Sequence, residues 1–167
     1  MDLLDEPLFN DESQDKERSE DEACVKKRIQ ELVESQQFCV LSTQAQSQPY
    51  ASLVAYAVTP DLRHFFFTTA AATRKYRLLS ECKQVALLID SRCRHQEELT
   101  AVEALTVTGR AEEISDGPLF SKGRTMLKGR HPYLKHFVES DTTALFAVSS
   151  ARFLHVTRFQ EVSQWVP

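Results

Sequence analysis

Between Phe65 and Leu79 the chain reads FFFTTAAATRKYRLL, and here its residue types and spacing can do chemistry. Three aromatics followed by Thr68 and Thr69 predict a buried strand ending in hydroxyls. After three alanines, Thr73 is a good N-cap, with Arg74 and Lys75 in the first turn of a short helix. A strand end that meets a helix N-terminus places hydroxyls and backbone N–H groups where an anion can sit. The helix dipole disfavours positive charge at that end, so two cations there cost stability until an anion reverses the penalty. The segment is expected to grip the phosphate of a cofactor.

The elements that must position these residues follow from the pattern of apolar side chains. Val25, Ile29, Leu32 and Val33 fall on one face of an amphipathic helix. Phe38–Thr43 is a first strand, 44–49 a polar hairpin loop, and Tyr50–Val58 a long second strand. In that strand Tyr50, Ser52, Val54 and Tyr56 share one face, and Ala51, Leu53, Ala55 and Ala57 the other. Thr59-Pro60-Asp61 turns into the strand Phe65–Thr69. A helix from Thr73 burying Tyr76 and Leu79, a strand Gln84–Asp90, an irregular loop 91–102 and a strand Ala104–Glu112 follow. Helices are expected at Leu119–Lys128, ended by Gly129, and at Pro132–Glu139. A closing hairpin is expected around Ser149-Ser150, between strands 143–149 and 152–156, with a last extended piece at 159–166. Some seven strands, hairpin-linked early and late, with a few short helices, predict an α+β, mainly β fold: an antiparallel barrel with helices at its ends. No G-x-G-x-x-G or P-loop pattern occurs, so a nucleotide would not bind by those routes.

Composition bounds the function. At 167 residues, 42% of them hydrophobic and only four glycine, the chain has room for one domain with a real core. No apolar run approaches the roughly 20 residues that span a bilayer. The N-terminus lacks the basic-then-apolar order of a signal peptide, so a cytoplasmic protein is expected. Residues 1–22 hold ten acids against Lys16 and Arg18, a net of −8 in a chain of net −4, so residues 23–167 carry +4. The expected organisation is a disordered acidic tail over 1–22 and a mildly basic domain over 23–167. That balance suits an anionic small molecule and is far too weak for a bulk nucleic-acid binder. Cys24, Cys39, Cys82 and Cys93 form no C-x-x-C pair and have no histidine at zinc-finger spacing. No metal site is expected, and three of them read as small core residues.

The order of PYASLVAYAV, FFFTTAAATRKYRLL with QVALLID, ALTVTGRAEEI, HPYLKHFV and RFLHVTRFQEV resembles the flavin-binding split-barrel family related to pyridoxamine 5′-phosphate oxidase, over about residues 30–165. The resemblance implies a homodimer binding FMN at the subunit interface. It implies phosphate contacts from Arg74 and Lys75, with Thr68, Thr69 and Thr73 beside them, and an isoalloxazine lying along Ser52, Leu53 and Val54. Three charge-assisted hydrogen bonds give roughly 4–9 kcal/mol gross, whereas micromolar affinity needs about 8 net. The ring must therefore contribute, and small alternating side chains on the Ser52–Val54 strand let it approach. Two departures stand out: Leu78 occupies a place where relatives often carry Asn, and EVSQWVP lacks the oxidase's C-terminal substrate motif, an Arg-Leu pair followed by a basic stretch. Family membership therefore does not carry the oxidase activity with it.

Trp165, the only tryptophan, either plugs a barrel end, the favoured reading, or stacks on the flavin of the partner subunit. His131, before Pro132, reads as a helix cap. Lys122, Arg124, Lys128 and Arg130 read as a solvated basic face, or as a receiver for an anionic substrate or a partner's tail. No nucleophile–base arrangement or paired carboxylates can be argued, so chemistry would rest on the cofactor. The expected function is an FMN-dependent oxidoreductase acting on a small molecule. Its rivals are a flavin carrier or sensor without catalysis, and the same barrel holding haem or a deazaflavin.

Overall fold

The computed structural model describes residues 18–95, 97–158 and 161–167. Helix α1 (Arg18–Ser35) buries Ile29, Leu32 and Val33, the stripe that helical spacing predicts. It opens within the acidic run, of which residues 1–17 lie outside the described residues. Its C-terminal carbonyls, which have no partner inside a helix, are taken up from a distance. The Arg130 guanidinium donates to Val33 O at 2.7 Å, Glu34 O at 3.1 Å and Gln36 O at 2.6 Å.

Strands β1 (Phe38–Ala45) and β2 (Gln48–Ala55) form a hairpin whose turn is only Gln46 and Ser47, with φ of 52° and 63°. The expected loop over 44–49 is thus mostly ladder. Two left-handed residues match the twist of the flanking strands, which is why so short a turn closes them. Past Tyr56 the extended segment continues as β3 (Ala57–Val58), pairing with β4 (His64–Ala70). With β5 (Gln84–Asp90), β6 (Ala104–Ile114) and β7 (Thr143–Thr157) the antiparallel order is β2-β1-β5-β6-β7-β4-β3. Only Tyr56 separates β2 from β3, so the two ends of that order meet and the sheet is curled into a split barrel. Tyr56 is buried there; its hydroxyl donates to Val33 O at 2.7 Å, and Arg130 lies 5.2 Å above its ring.

The triple Phe65-Phe66-Phe67 shows why β4 reads as a continuous apolar run. Phe65 and Phe67 point into the barrel with Leu41, Leu87 and Phe153. Phe66 points outward, where Leu127 of α3 (Gly117–Arg130) and Val138 of α4 (Lys135–Glu139) cover it. Each buried phenylalanine is worth about 1.5–3 kcal/mol. Gly123 is the point of closest approach, since a Cβ there would sit 2.7 Å from Phe66 Cδ1.

The hairpin expected at Ser149-Ser150 is absent, because β7 runs unbroken through it. Gly109 pairs with Ser150 and Thr108 with Arg152, which leaves Ala151 as the extra residue of a β-bulge. No glycine, proline or asparagine is present to reverse the chain there. Gly109 accommodates the bulge, for a Cβ would stand 2.4 Å from Ser149 O. Gly129 does not end α3 either; the helix runs to Arg130 with His131 as its C-cap, and a 3₁₀ turn at Pro132–Leu134 leads into α4. The last extended piece is β8 (Glu161–Trp165), paired with β7 from Phe153 to Thr157; Phe159 and Gln160 lie outside the described residues.

Candidate functional site

The corner between the end of β4 and the start of α2 (Arg74–Glu81) is built by hydroxyls. Thr73 is the N-cap with extended backbone, and its Oγ1 accepts from Tyr76 N at 3.2 Å. The same oxygen lies 2.9 Å from Thr69 Oγ1 and donates to Ala70 O at 2.8 Å. The cap is thereby locked to the strand, and the first-turn amides of Arg74 and Lys75 have no partner within the helix. No acidic residue occupies that turn.

The cations are disposed differently. Arg74 is exposed and lies 5.0 Å above the ring of Tyr50, which β2 brings across from the hairpin. Lys75 is half-buried, and loss of solvation holds its ammonium below the usual lysine range. Near it the Cys39 thiol is pushed up to about 12 by burial, which makes it an inert core group. Arg77 follows one turn on, and with Ala71, Ala72, Thr73 and Arg74 it lines an open groove of about 400 Å³. Arg74, Lys75 and Arg77 form no ion pair among the described residues.

The predicted residues separate by face. Thr69 is buried on the barrel side, while Thr68, its neighbour, points to the opposite face of β4. Ser52 lies on the Tyr50 face of β2, and its Oγ is enclosed without any hydrogen-bond partner. Val54 is buried in the core, whereas Leu53 is 64% exposed on the outer face of the sheet. There it stands in register with Val40, and through it with Leu88, itself 36% exposed, so an apolar row runs across three strands. Trp165 is not gathered with these residues. Its ring packs on Phe153 at 5.0 Å between centroids, with Lys26 Nζ 5.4 Å above it. Leu78 is buried, an apolar position in α2.

Three of the four cations of α3 are engaged by structure. Arg130 caps α1, Lys128 Nζ pairs with Glu139 Oε1 at 2.8 Å, and Arg124 lies 5.3 Å above the Phe120 ring. His131 is buried at the C-cap of α3, and its Nε2–H donates to Tyr56 O at 2.8 Å. His155, also buried, donates to Glu103 Oε2 at 2.9 Å, and Arg28 holds the other oxygen at 3.0 Å. Burial raises the Glu103 carboxyl, but the Arg28 and His155 bonds outweigh it and keep it below the usual range. Of the cysteines only Cys39 is a core residue; Cys24 and Cys93 are exposed and Cys82 half-buried. Sequence reading missed Tyr50 and Arg77. Tyr50 shares a strand face with Ser52, and Arg77 stands one helical turn from Arg74, so period and face together could have found both.

No curated protein sequence matches the chain. Among solved structures it is similar to a heme binding protein from Mycobacterium smegmatis (TM-score 0.76, 15% identity), covering 84% of this chain and 57% of that one. The chain therefore spans little more than half of that protein. HutZ, the heme storage protein of Vibrio cholerae, aligns with TM-score 0.66 and 18% identity over 84% of this chain and 92% of its own. A FAD-binding protein from Mesorhizobium loti aligns with TM-score 0.64 and 15% identity, over 77% and 90%. The family model described as pyridoxamine 5′-phosphate oxidase matches residues 25–164, from within α1 to within β8. By that match and by its split barrel, the chain belongs to the pyridoxamine 5′-phosphate oxidase-related family.

Proposed function

We propose that this chain binds FMN, with the phosphate at the α2 corner, and acts in the cytoplasm as an FMN-dependent oxidoreductase on a small molecule. The observation that carries the reading is the charge of that corner. Arg74, Lys75 and Arg77 lie within one turn of each other and form no ion pair among the described residues, at a helix end where cations are disfavoured. The enclosed Ser52 hydroxyl adds to it, because an unpaired buried hydroxyl costs about 1–3 kcal/mol and a ligand atom would remove that cost. The residues present fit a phosphate-bearing planar group.

In this reading Arg74, Lys75 and Thr73 hold the phosphate, Thr69 orients Thr73, and the backbone of Ser52–Val54 lets the ring approach. Bound flavin supplies the electron and hydride transfer. Thr68, on the other face of β4, acts only through that strand's position. The apolar row of Leu53, Val40 and Leu88 is the surface that a second copy covers in a homodimer, placing the cofactor at the interface. Trp165, packed on its own barrel, contacts the cofactor only across that interface.

The test is the visible spectrum of the purified protein, repeated on the supernatant after heat denaturation. Flavin bands that leave with the supernatant are expected, as is their anaerobic bleaching by NADH or NADPH. Arg74→Ala/Lys75→Ala should weaken FMN by a hundredfold or more, the loss of about two charge-assisted bonds. If the double variant keeps its FMN, the phosphate assignment is wrong. The haem-binding neighbours motivate a second reading, in which the barrel takes haem. A Soret band that survives the double substitution would establish that reading in place of FMN.

A further inference from the structure

Residues 1–17 hold seven acids against Lys16, a net of −6, so the remainder of the chain carries +2. Most cations on the neighbouring elements are already matched: Arg28 by Glu103, Lys83 by Glu112, Lys128 by Glu139, while Arg130 caps α1. Among the described residues Arg74, Lys75 and Arg77 have no such partner. Arg74 and Arg77 flank an open trough over Ala71 and Ala72, two side chains too small to obstruct an extended peptide, while Lys75 stands half-buried beside it.

We infer that the acidic segment 1–17 docks on the Arg74–Arg77 groove and competes there with the anionic ligand, a regulatory role that rests on the phosphate reading above. Reach is sufficient. Seventeen residues extend to about 56–61 Å, whereas a domain of this size is about 40 Å across, and the segment is tethered at Arg18, the first residue of α1. Its carboxylates supply the charge that α2 lacks in its first turn, and carboxylates at a helix N-terminus are stabilising. Each contact is exposed and individually weak. Tethering compensates, since a linked segment is present at roughly millimolar effective concentration. A millimolar contact then lowers ligand affinity about 2- to 10-fold, enough to tune occupancy without closing the site.

The test compares the full chain with a full-length variant in which the seven acids of 1–17 are changed to their amides. The amide variant should bind FMN about 2- to 10-fold more tightly at low ionic strength. The difference should shrink as added salt shortens the screening length to about 8 Å. Independently of FMN, a synthetic peptide of residues 1–17 carrying a nitroxide is added to the amide variant. It should broaden the backbone amides of 71–77, and Arg74→Ala/Lys75→Ala/Arg77→Ala should abolish the effect. Equal FMN affinities, or no broadening at 71–77, overturn the proposal; broadening over the Leu53 face instead does so as well. If Arg74→Ala/Lys75→Ala leaves FMN affinity intact, the phosphate reading fails separately, and the peptide experiment still decides where the tail binds.

Discussion

Lys75 carries the sharpest conflict between folding and binding. Burial holds its ammonium below the usual lysine range, so folding the free protein with that charge in place costs stability. Between the lowered value and 10.5 the unfolded chain binds more protons than the folded one, so this group's contribution to stability rises with pH through that window. Below the window the cost is present in full. Lys75→Met should therefore raise the melting temperature of the ligand-free protein at neutral pH while weakening FMN; a lower melting temperature would show that Lys75 is structurally paired. The affinity of the wild-type chain for FMN should fall as pH rises through the same window, starting below 10.5. Lys75→Arg, whose guanidinium does not titrate there, should remove that fall when the two proteins are compared. Much of this corner was legible in the sequence, because caps and first-turn charges are local features. The contact of Arg74 with Tyr50 was not, although the face of Tyr50 was, since a hairpin brings that ring there from 24 positions away.

Local backbone strain sets what the elements will tolerate. Gln46 and Ser47 hold left-handed conformations that cost each a non-glycine residue about 1–2 kcal/mol. Gln46→Asn/Ser47→Gly should stabilise the protein by about 1–2 kcal/mol in urea unfolding with no change in FMN affinity. A neutral or destabilising result would mean that those side chains make contacts elsewhere. Helix α3 offers an internal control. Gly123→Ala drives a methyl group to 2.7 Å from the Phe66 ring and should cost about 1–3 kcal/mol. Gly129→Ala, with nothing within 4 Å, should stabilise by about 0.5–1 kcal/mol. Two glycines of one helix thus respond with opposite sign, and equal effects would contradict the packing of α3 on β4. The bulge opposite Gly109 belongs to the same scale. Sequence reading turned Ser149-Ser150 into a hairpin because an interruption of alternation looks alike in a bulge and in a turn.

For the whole molecule the outer sheet face is where the proposed dimer is tested. Leu53, half-buried Val40 and Leu88 form a surface row that a monomer gains nothing by keeping. On the dimeric reading, Leu53→Glu should yield a monomer by sedimentation, with unchanged far-ultraviolet circular dichroism and loss of bound flavin. A variant that stays dimeric would place the interface on another face. None of the described helices is long and apolar enough to cross a membrane. The split of the barrel at Tyr56 is likewise a property of the whole, tying α1, α3 and two strand ends through Val33 O and Arg130.

The amino-acid sequence by itself determined most of the strands, though not the unbroken β7, together with the barrel class and the capped, cationic start of α2, because period, propensity and capping act over a few neighbouring residues. Tertiary structure alone decided which cations are free. Lys122, Arg124, Lys128 and Arg130 look as available in sequence as Arg74, Lys75 and Arg77, yet Arg130 is spent on helix carbonyls 94 to 97 positions away. It also decided which of two alternating faces is buried: Thr69 and Val54 lie inside, and Leu53 is left exposed. Which partner a side chain meets depends on contacts between distant segments, and those are fixed only when the sheet curls and the helices pack.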